Sequence, residues 1–251
     1  MMNQSYALLS QFCPDDYVPV IKEMLAYDAL CPLSCTFVRG SLGELKYAFD
    51  PSPLHWSRQM EWPWVIKEGD FKYGQKVLDI GSGWSVLKYA MARRVYDGQM
   101  GGVIALDINP EFIERTKPSI EKMKDIGIYG ITQVCGDAVA LPFPHHYFDR
   151  VVSVSVLEHI PNAHLKCVQE MVRVLKPGGL ALFSMDMVVE GNPGDGGNFY
   201  VSRKEVEEIL RYLEIFQVHA LAPNGPTVGA ELRDEKVQVV CVMIKYIKTG
   251  G

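Results

Sequence analysis

The stretch VLDIGSGWS, residues 77–85, decides how the rest of the chain is read. An apolar, β-prone run broken by one acid ends in two glycines separated by a serine, and another apolar segment follows. That order reads as a strand, a tight turn and the start of a helix. Gly81 and Gly83 permit positive φ and let a ligand come close to the backbone, while the helix start offers free amide groups. In an open parallel sheet, ligands bind outside the carboxyl ends of the strands, which is where this turn belongs.

Outward from the turn, short β-branched runs alternate with longer amphipathic ones, the pattern of a parallel sheet flanked by helices. KVLDI (76–80), GVIALDI (102–108), GITQVC (130–135), FDRVVSVSV (148–156), GLALFSM (179–185), EIFQVHA (214–220) and VQVVCVMIKYI (237–247) read as seven strands of an α/β fold. The helices carry their own signals. Pro110 opens one over 110–124, Asn162 is placed to cap another that KPGG (176–179) stops, and Ser202 with Glu205 makes a capping box. The first 72 residues differ, with prolines, aromatics and two helical stretches (14–30 and 53–69) but no strand alternation. The expected organisation is a helical appendage or lid over 1–72 and a sheet domain over 73–251.

Composition narrows the function. The 251 residues are 48% hydrophobic, enough for a sizeable core, and the net charge of −5 lacks the basic footprint of a nucleic-acid binder. The six cysteines show no paired C-x-x-C spacing, so no metal site is expected. With neither a signal segment nor a long apolar run, the reading is a soluble cytoplasmic protein without a membrane partner, and a homo-oligomer is compatible with it.

The details of the turn select among ligands. A dinucleotide fingerprint needs a small residue where this chain has Val86, and no G-K-[ST] follows for a phosphate loop. Asp79 just before the turn disfavours phosphate and suits a cationic or amino-bearing group. Asp107, at the end of the second strand, is placed to accept from both hydroxyls of a ribose, and Asp137 after the third is placed to accept from an adenine amino group.

These residues resemble the class I S-adenosylmethionine-dependent methyltransferases. The resemblance covers about residues 76–247 and rests on ordered pieces: VLDIGSG, ALDINPEFIE, GDAVALPFPHHYFD, VVSVSVLEHI and RVLKPGGLALFS. It implies a Rossmann-like, mostly parallel seven-stranded sheet with the last strand antiparallel, and S-adenosylmethionine as cofactor. Asp79, Gly81, Ser82 and Gly83 would surround its methionine part, Asp107 would hold the ribose, and Ile108 would pack on the adenine. Asp137 with Ala138 would read the adenine edge, and Ser153 and Ser155 would lie near the sulfonium and the amino group. In this family the segment before the first strand often covers the cofactor, so Trp62, in the stretch holding Trp56 and Trp64, is a candidate for the sulfonium; core packing is the alternative. Ser85 departs from the family's common third glycine.

His159 is the candidate general base, with Glu158 beside it and Asp186 at the end of the fifth strand as weaker candidates. Bracing of the loop or pocket is the competing role for His159 and Glu158. The resulting expectation is methyl transfer to an oxygen or nitrogen of a small-molecule metabolite. A nicotinamide-dependent oxidoreductase and a non-catalytic S-adenosylmethionine-binding module are the alternatives.

Overall fold

The structure, a computed structural model, describes residues 15–30, 58–190, 200–214, 228–232 and 235–249. It divides into two compact units, Met1–Cys135 and Gly136–Gly251.

In the first unit, helices α1 (Val18–Leu30) and α2 (Arg58–Glu68) precede strand β1 (Lys76–Ile80). Helix α3 (Leu87–Val95), strand β2 (Gly102–Asp107), helix α4 (Pro110–Met123) and strand β3 (Ile131–Cys135) follow. The strands lie in the order β3-β2-β1. Both pairings are parallel, with Ile80 level with Leu106 and Asp107 level with Cys135. This register sets Asp107 one step beyond the end of β1, beside the glycine turn. Helix α3 buries Leu87, Lys88, Tyr89, Ala90, Met91, Ala92 and Val95, so it is a core helix with almost no solvent face. Helix α4 is amphipathic, burying Ile113, Thr116, Ile120 and Met123, and starts as expected: the Asn109 side chain accepts from the Glu111 amide with Pro110 in the first turn. Helix α1 packs against α2, α3 and α4. Its Ile21 and Met24 are fully shielded, a burial that contributes roughly 1.5–3 kcal/mol for each side chain, and Glu23 pairs with Arg94 of α3 at 2.7 Å.

In the second unit, strand β4 (Phe148–Val154) is followed by a single 3₁₀ turn (Leu157–His159), helix α5 (His164–Val174) and strand β5 (Leu175–Glu190). Helix α6 (Arg203–Tyr212) and strands β6 (Val228–Leu232) and β7 (Glu235–Ile247) complete it. The order is β4-β5-β7-β6, with β4 and β5 parallel and β7 antiparallel to both neighbours. A mostly parallel α/β architecture with its last strand reversed is what the sequence led us to expect.

Several local readings change. Residues 215–220 of the expected sixth strand lie outside the described residues, as do Trp56 and residues 191–199. Strand β6 instead falls inside the stretch 221–236 that reads as loop, because VGAEL has little alternation and owes its extended form to pairing with β7. Strand β5 begins before KPGG: Gly178 donates to the Lys248 carbonyl at 2.8 Å and Lys248 to that of Gly179 at 3.0 Å, continuing the ladder through the glycines. Asn162 is not the cap of α5. It has φ of 63°, and Ala163 precedes the helix without a side-chain cap bond. The Ser202–Glu205 capping box is fully formed.

Because the Ser202 hydroxyl and the Glu205 carboxylate satisfy each other's backbone amides, Ser202→Ala is expected to cost about 1 kcal/mol. Thermal denaturation should show a midpoint lower by about 2–4 °C. An unchanged midpoint would mean that α6 is held by packing alone.

Candidate functional site

Strand β1 ends at Ile80 and the chain turns through Gly81 at φ of 64° and Gly83 at φ of 40°. A Cβ on Gly83 would meet nothing closer than 3.8 Å, so glycine is needed there for its backbone angle and not for lack of space. The Ser82 amide donates to the Leu106 carbonyl at 3.0 Å. Asp107 then ties two loops together. Its Oδ2 accepts from the Gly83 amide and its Oδ1 from the Asn109 amide, each at 2.9 Å. Each carboxylate oxygen keeps a further lone pair. Next to it Ile108 is 67% exposed, an apolar surface at the end of β2, and Phe112 meets Trp84 edge-on at 5.4 Å between centroids.

Three charged residues are buried around this turn: Asp79, Lys88 and Asp107. Asp79 is 3% exposed, and among the described residues its Oδ2 has no hydrogen-bond partner. Burial pushes its pKa up to about 7; the Lys88 charge pulls it down and the Asp107 charge adds to the rise. Lys88, absent from the sequence reading, reaches back from α3 to donate to the carbonyls of Gly83 at 2.7 Å and Ser82 at 3.3 Å. The only hint in the sequence is a lysine inside the apolar run VLKYAMA. Trp62 is buried in α2, as core packing requires.

In the second unit, Asp137 is exposed with Oδ1 accepting from the Val139 amide at 3.0 Å, and Ala138 is buried. Helix α5 pins the loop that carries them. Arg173 donates to the carbonyls of Phe143 at 2.8 Å and Leu141 at 2.9 Å, and Glu170 accepts from the Leu141 amide at 2.8 Å. Sequence reading missed this pair, since helical periodicity marks the buried face and says nothing of what the polar face holds.

Ser153 is fully buried in β4, and its hydroxyl has no hydrogen-bond partner among the described residues. Ser155 has φ of 48°, a conformation a non-glycine residue rarely adopts, with its amide donating to the Ser184 carbonyl at 3.1 Å. Glu158 and His159 share the 3₁₀ turn but not an environment, because Glu158 is buried and His159 exposed. Asp186 is half-buried, and its carbonyl accepts from the Val201 amide at 3.0 Å.

Comparison with known proteins gives a consistent family. Residues 78–183 match a family described as "Methyltransferase domain". The ubiquinone/menaquinone biosynthesis C-methyltransferase of Serratia proteamaculans is 38% identical over 149 residues, 57% of this chain and 57% of that protein. The chain thus spans about half the length of the curated relatives it matches. Among solved structures, a SAM-dependent methyltransferase from Aquifex aeolicus aligns with a TM-score of 0.54 at 22% identity, covering 82% of this chain and 97% of that one. Phosphoethanolamine N-methyltransferase 2 of Haemonchus contortus, in complex with S-adenosyl-L-methionine, aligns with a TM-score of 0.61 at 18% identity, covering 87% and 56%. Both show the shared Rossmann-like fold. No helix among the described residues is long and apolar enough to cross a membrane.

The raised pKa of Asp79 has a measurable sign. Between its unfolded pKa, about 3.9, and its folded value the native state holds more protons, so stability falls as pH rises through that window. Asp79→Asn mimics the neutral acid and lacks this loss. From pH 5 to pH 8 the wild-type melting temperature should fall relative to that of the variant, by about 5 °C. Parallel curves would show that Asp79 is already ionised in the folded protein.

Proposed function

Because the chain belongs to the class I S-adenosylmethionine-dependent methyltransferase family, we propose that it moves a methyl group from S-adenosylmethionine to a small-molecule acceptor. The observation that carries this reading is the buried Asp79 carboxylate, one oxygen of which has no hydrogen-bond partner among the described residues, at the entrance to the glycine turn. A buried acceptor of this kind fits a ligand that brings an ammonium. The buried Lys88 faces the carboxyl groups of both Asp79 and Asp107, so the turn offers a pyrophosphate no uncompensated positive charge. Val86, almost fully buried, also fills the place where a dinucleotide site needs a small residue. The oxidoreductase alternative loses on both counts.

The residues of the first unit suit S-adenosylmethionine piece by piece. Asp79 would accept from the ammonium, the remaining lone pairs of Asp107 would accept from the ribose hydroxyls, and the exposed Ile108 would offer an apolar face to the adenine. When bound, the cofactor supplies a methyl carbon on a good leaving group, so the chain has mainly to align reactants and exclude water.

For the acceptor atom we propose carbon in place of the oxygen or nitrogen of the sequence reading, supported by relatives named as C-methyltransferases at 38% identity. The acceptor carbon's electron pair forms the new C–C bond, the pair of the broken S–C bond stays on sulfur, and the proton on that carbon must then leave. His159, the exposed imidazole of the 3₁₀ turn, is the proposed base.

Calorimetry with S-adenosylhomocysteine tests the site. Wild type should bind it and not a nicotinamide dinucleotide, and Asp107→Ala should lose roughly 1.5–3 kcal/mol. Binding that is unchanged in the variant would remove Asp107 from the site, and dinucleotide binding would overturn the family's chemistry here. With a ¹³C-methyl donor and a ¹³C-enriched metabolite extract, a one-bond carbon–carbon coupling on the new methyl would establish carbon as acceptor; its absence would return oxygen or nitrogen. His159→Ala should lower turnover by roughly 10²–10⁴-fold with little change in cofactor affinity. Turnover equal to wild type would place the base elsewhere.

A further inference from the structure

Packing alone does not account for Lys88. It sits on α3 with no exposed surface, where leucine or methionine would fill the same volume without an ammonium to desolvate. A buried charge of this kind persists where its hydrogen bonds and counter-charges are used. Its Nζ donates to the carbonyls of Ser82 and Gly83, the two residues that end the glycine turn.

A trans peptide points its carbonyl and its N–H in opposite directions. The peptide joining Ser82 to Gly83 is therefore gripped on both edges: Lys88 holds the carbonyl, and the Gly83 amide donates to Asp107 at 2.9 Å. The next carbonyl, that of Gly83, is held by Lys88 at 2.7 Å. Two left-handed glycines on their own permit many arrangements of these peptide planes. The lysine and the aspartate hold the Ser82–Gly83 peptide from both edges and so favour the observed one. The same ammonium is the favourable charge on Asp79, whose other charged neighbour, Asp107 at the end of β2, opposes ionisation.

We propose that Lys88 is a positioning residue for the amino-acid end of the cofactor. From inside the core it sets the peptide planes of the glycine turn against which the cofactor's ammonium end would sit. The role rests on the methyltransferase reading above. Lys88 touches neither cofactor nor acceptor, because no part of it reaches the surface.

Two probes separate this role from general support of the fold. S-adenosylhomocysteine carries the amino-acid end, and 5′-methylthioadenosine has the same nucleoside without it. Lys88→Met should weaken S-adenosylhomocysteine at least tenfold and leave 5′-methylthioadenosine within about threefold of wild type. Lys88→Gln keeps a donor for the carbonyls but no charge; it should fall between the two for the first probe and match wild type for the second, and it serves also if the methionine variant fails to fold. Equal weakening of both probes, or weakening of neither, would overturn the proposal. Failure of the wild-type protein to bind S-adenosylhomocysteine would instead overturn the methyltransferase reading itself.

Discussion

The Asp107 carboxylate joins the ends of two parallel strands. One of its oxygens accepts from the Gly83 amide after β1, and the other from the Asn109 amide at the start of α4. Both bonds depend on the register that levels Ile80 with Leu106, since a slip of one residue would send the Asp107 side chain to the opposite face of the sheet. Asn109 in turn caps α4, so a single acid couples strand register, turn conformation and helix start. Hydrogen bonds to a charged acceptor are stronger than neutral ones, and here they act where the backbone has least intrinsic preference.

Around that acid the molecule keeps charge where a hydrophobic core would be more stable. Asp79 and Lys88 are buried beside the turn, and replacing buried ionic groups with apolar ones of similar volume is often neutral or stabilising. The retained charge makes sense as a site held ready for a cation. In the proposed reading a ligand ammonium would offset the cost of burying the Asp79 carboxylate, which would link its protonation state to occupancy. In the second unit the equivalent investment is in polar contacts to backbone, with Arg173 and Glu170 anchoring the Leu141–Phe143 segment of the loop and Ser155 held at a strained angle.

Much of the fold was legible because its signals are local. Strands β1 to β4 are bounded apolar runs, α4 announces itself with Asn109 and Pro110, and α6 with Ser202 and Glu205. The less legible elements depend on partners distant in sequence. Strand β6 is extended because β7 pairs with it, and β5 continues through KPGG because Lys248 supplies the matching ladder groups. Asn162 has the right chemistry for a cap, but its left-handed backbone leaves the helix to start two residues later.

The site divides along the same line. The sequence by itself determined the glycine turn, the acids at 79 and 107, and through them a resemblance to one family, because residue type and spacing relative to strand ends suffice to specify which chemical groups a turn presents. Only the tertiary structure decided how those groups are held. It gave Asp107 two backbone partners, left one oxygen of Asp79 without a hydrogen-bond partner among the described residues, and turned the Lys88 ammonium inward onto the Ser82 and Gly83 carbonyls. The reason is physical. A periodic pattern reports which face of a helix is buried, whereas the direction in which a buried lysine spends its hydrogen bonds is set by three-dimensional packing of elements that the pattern does not encode.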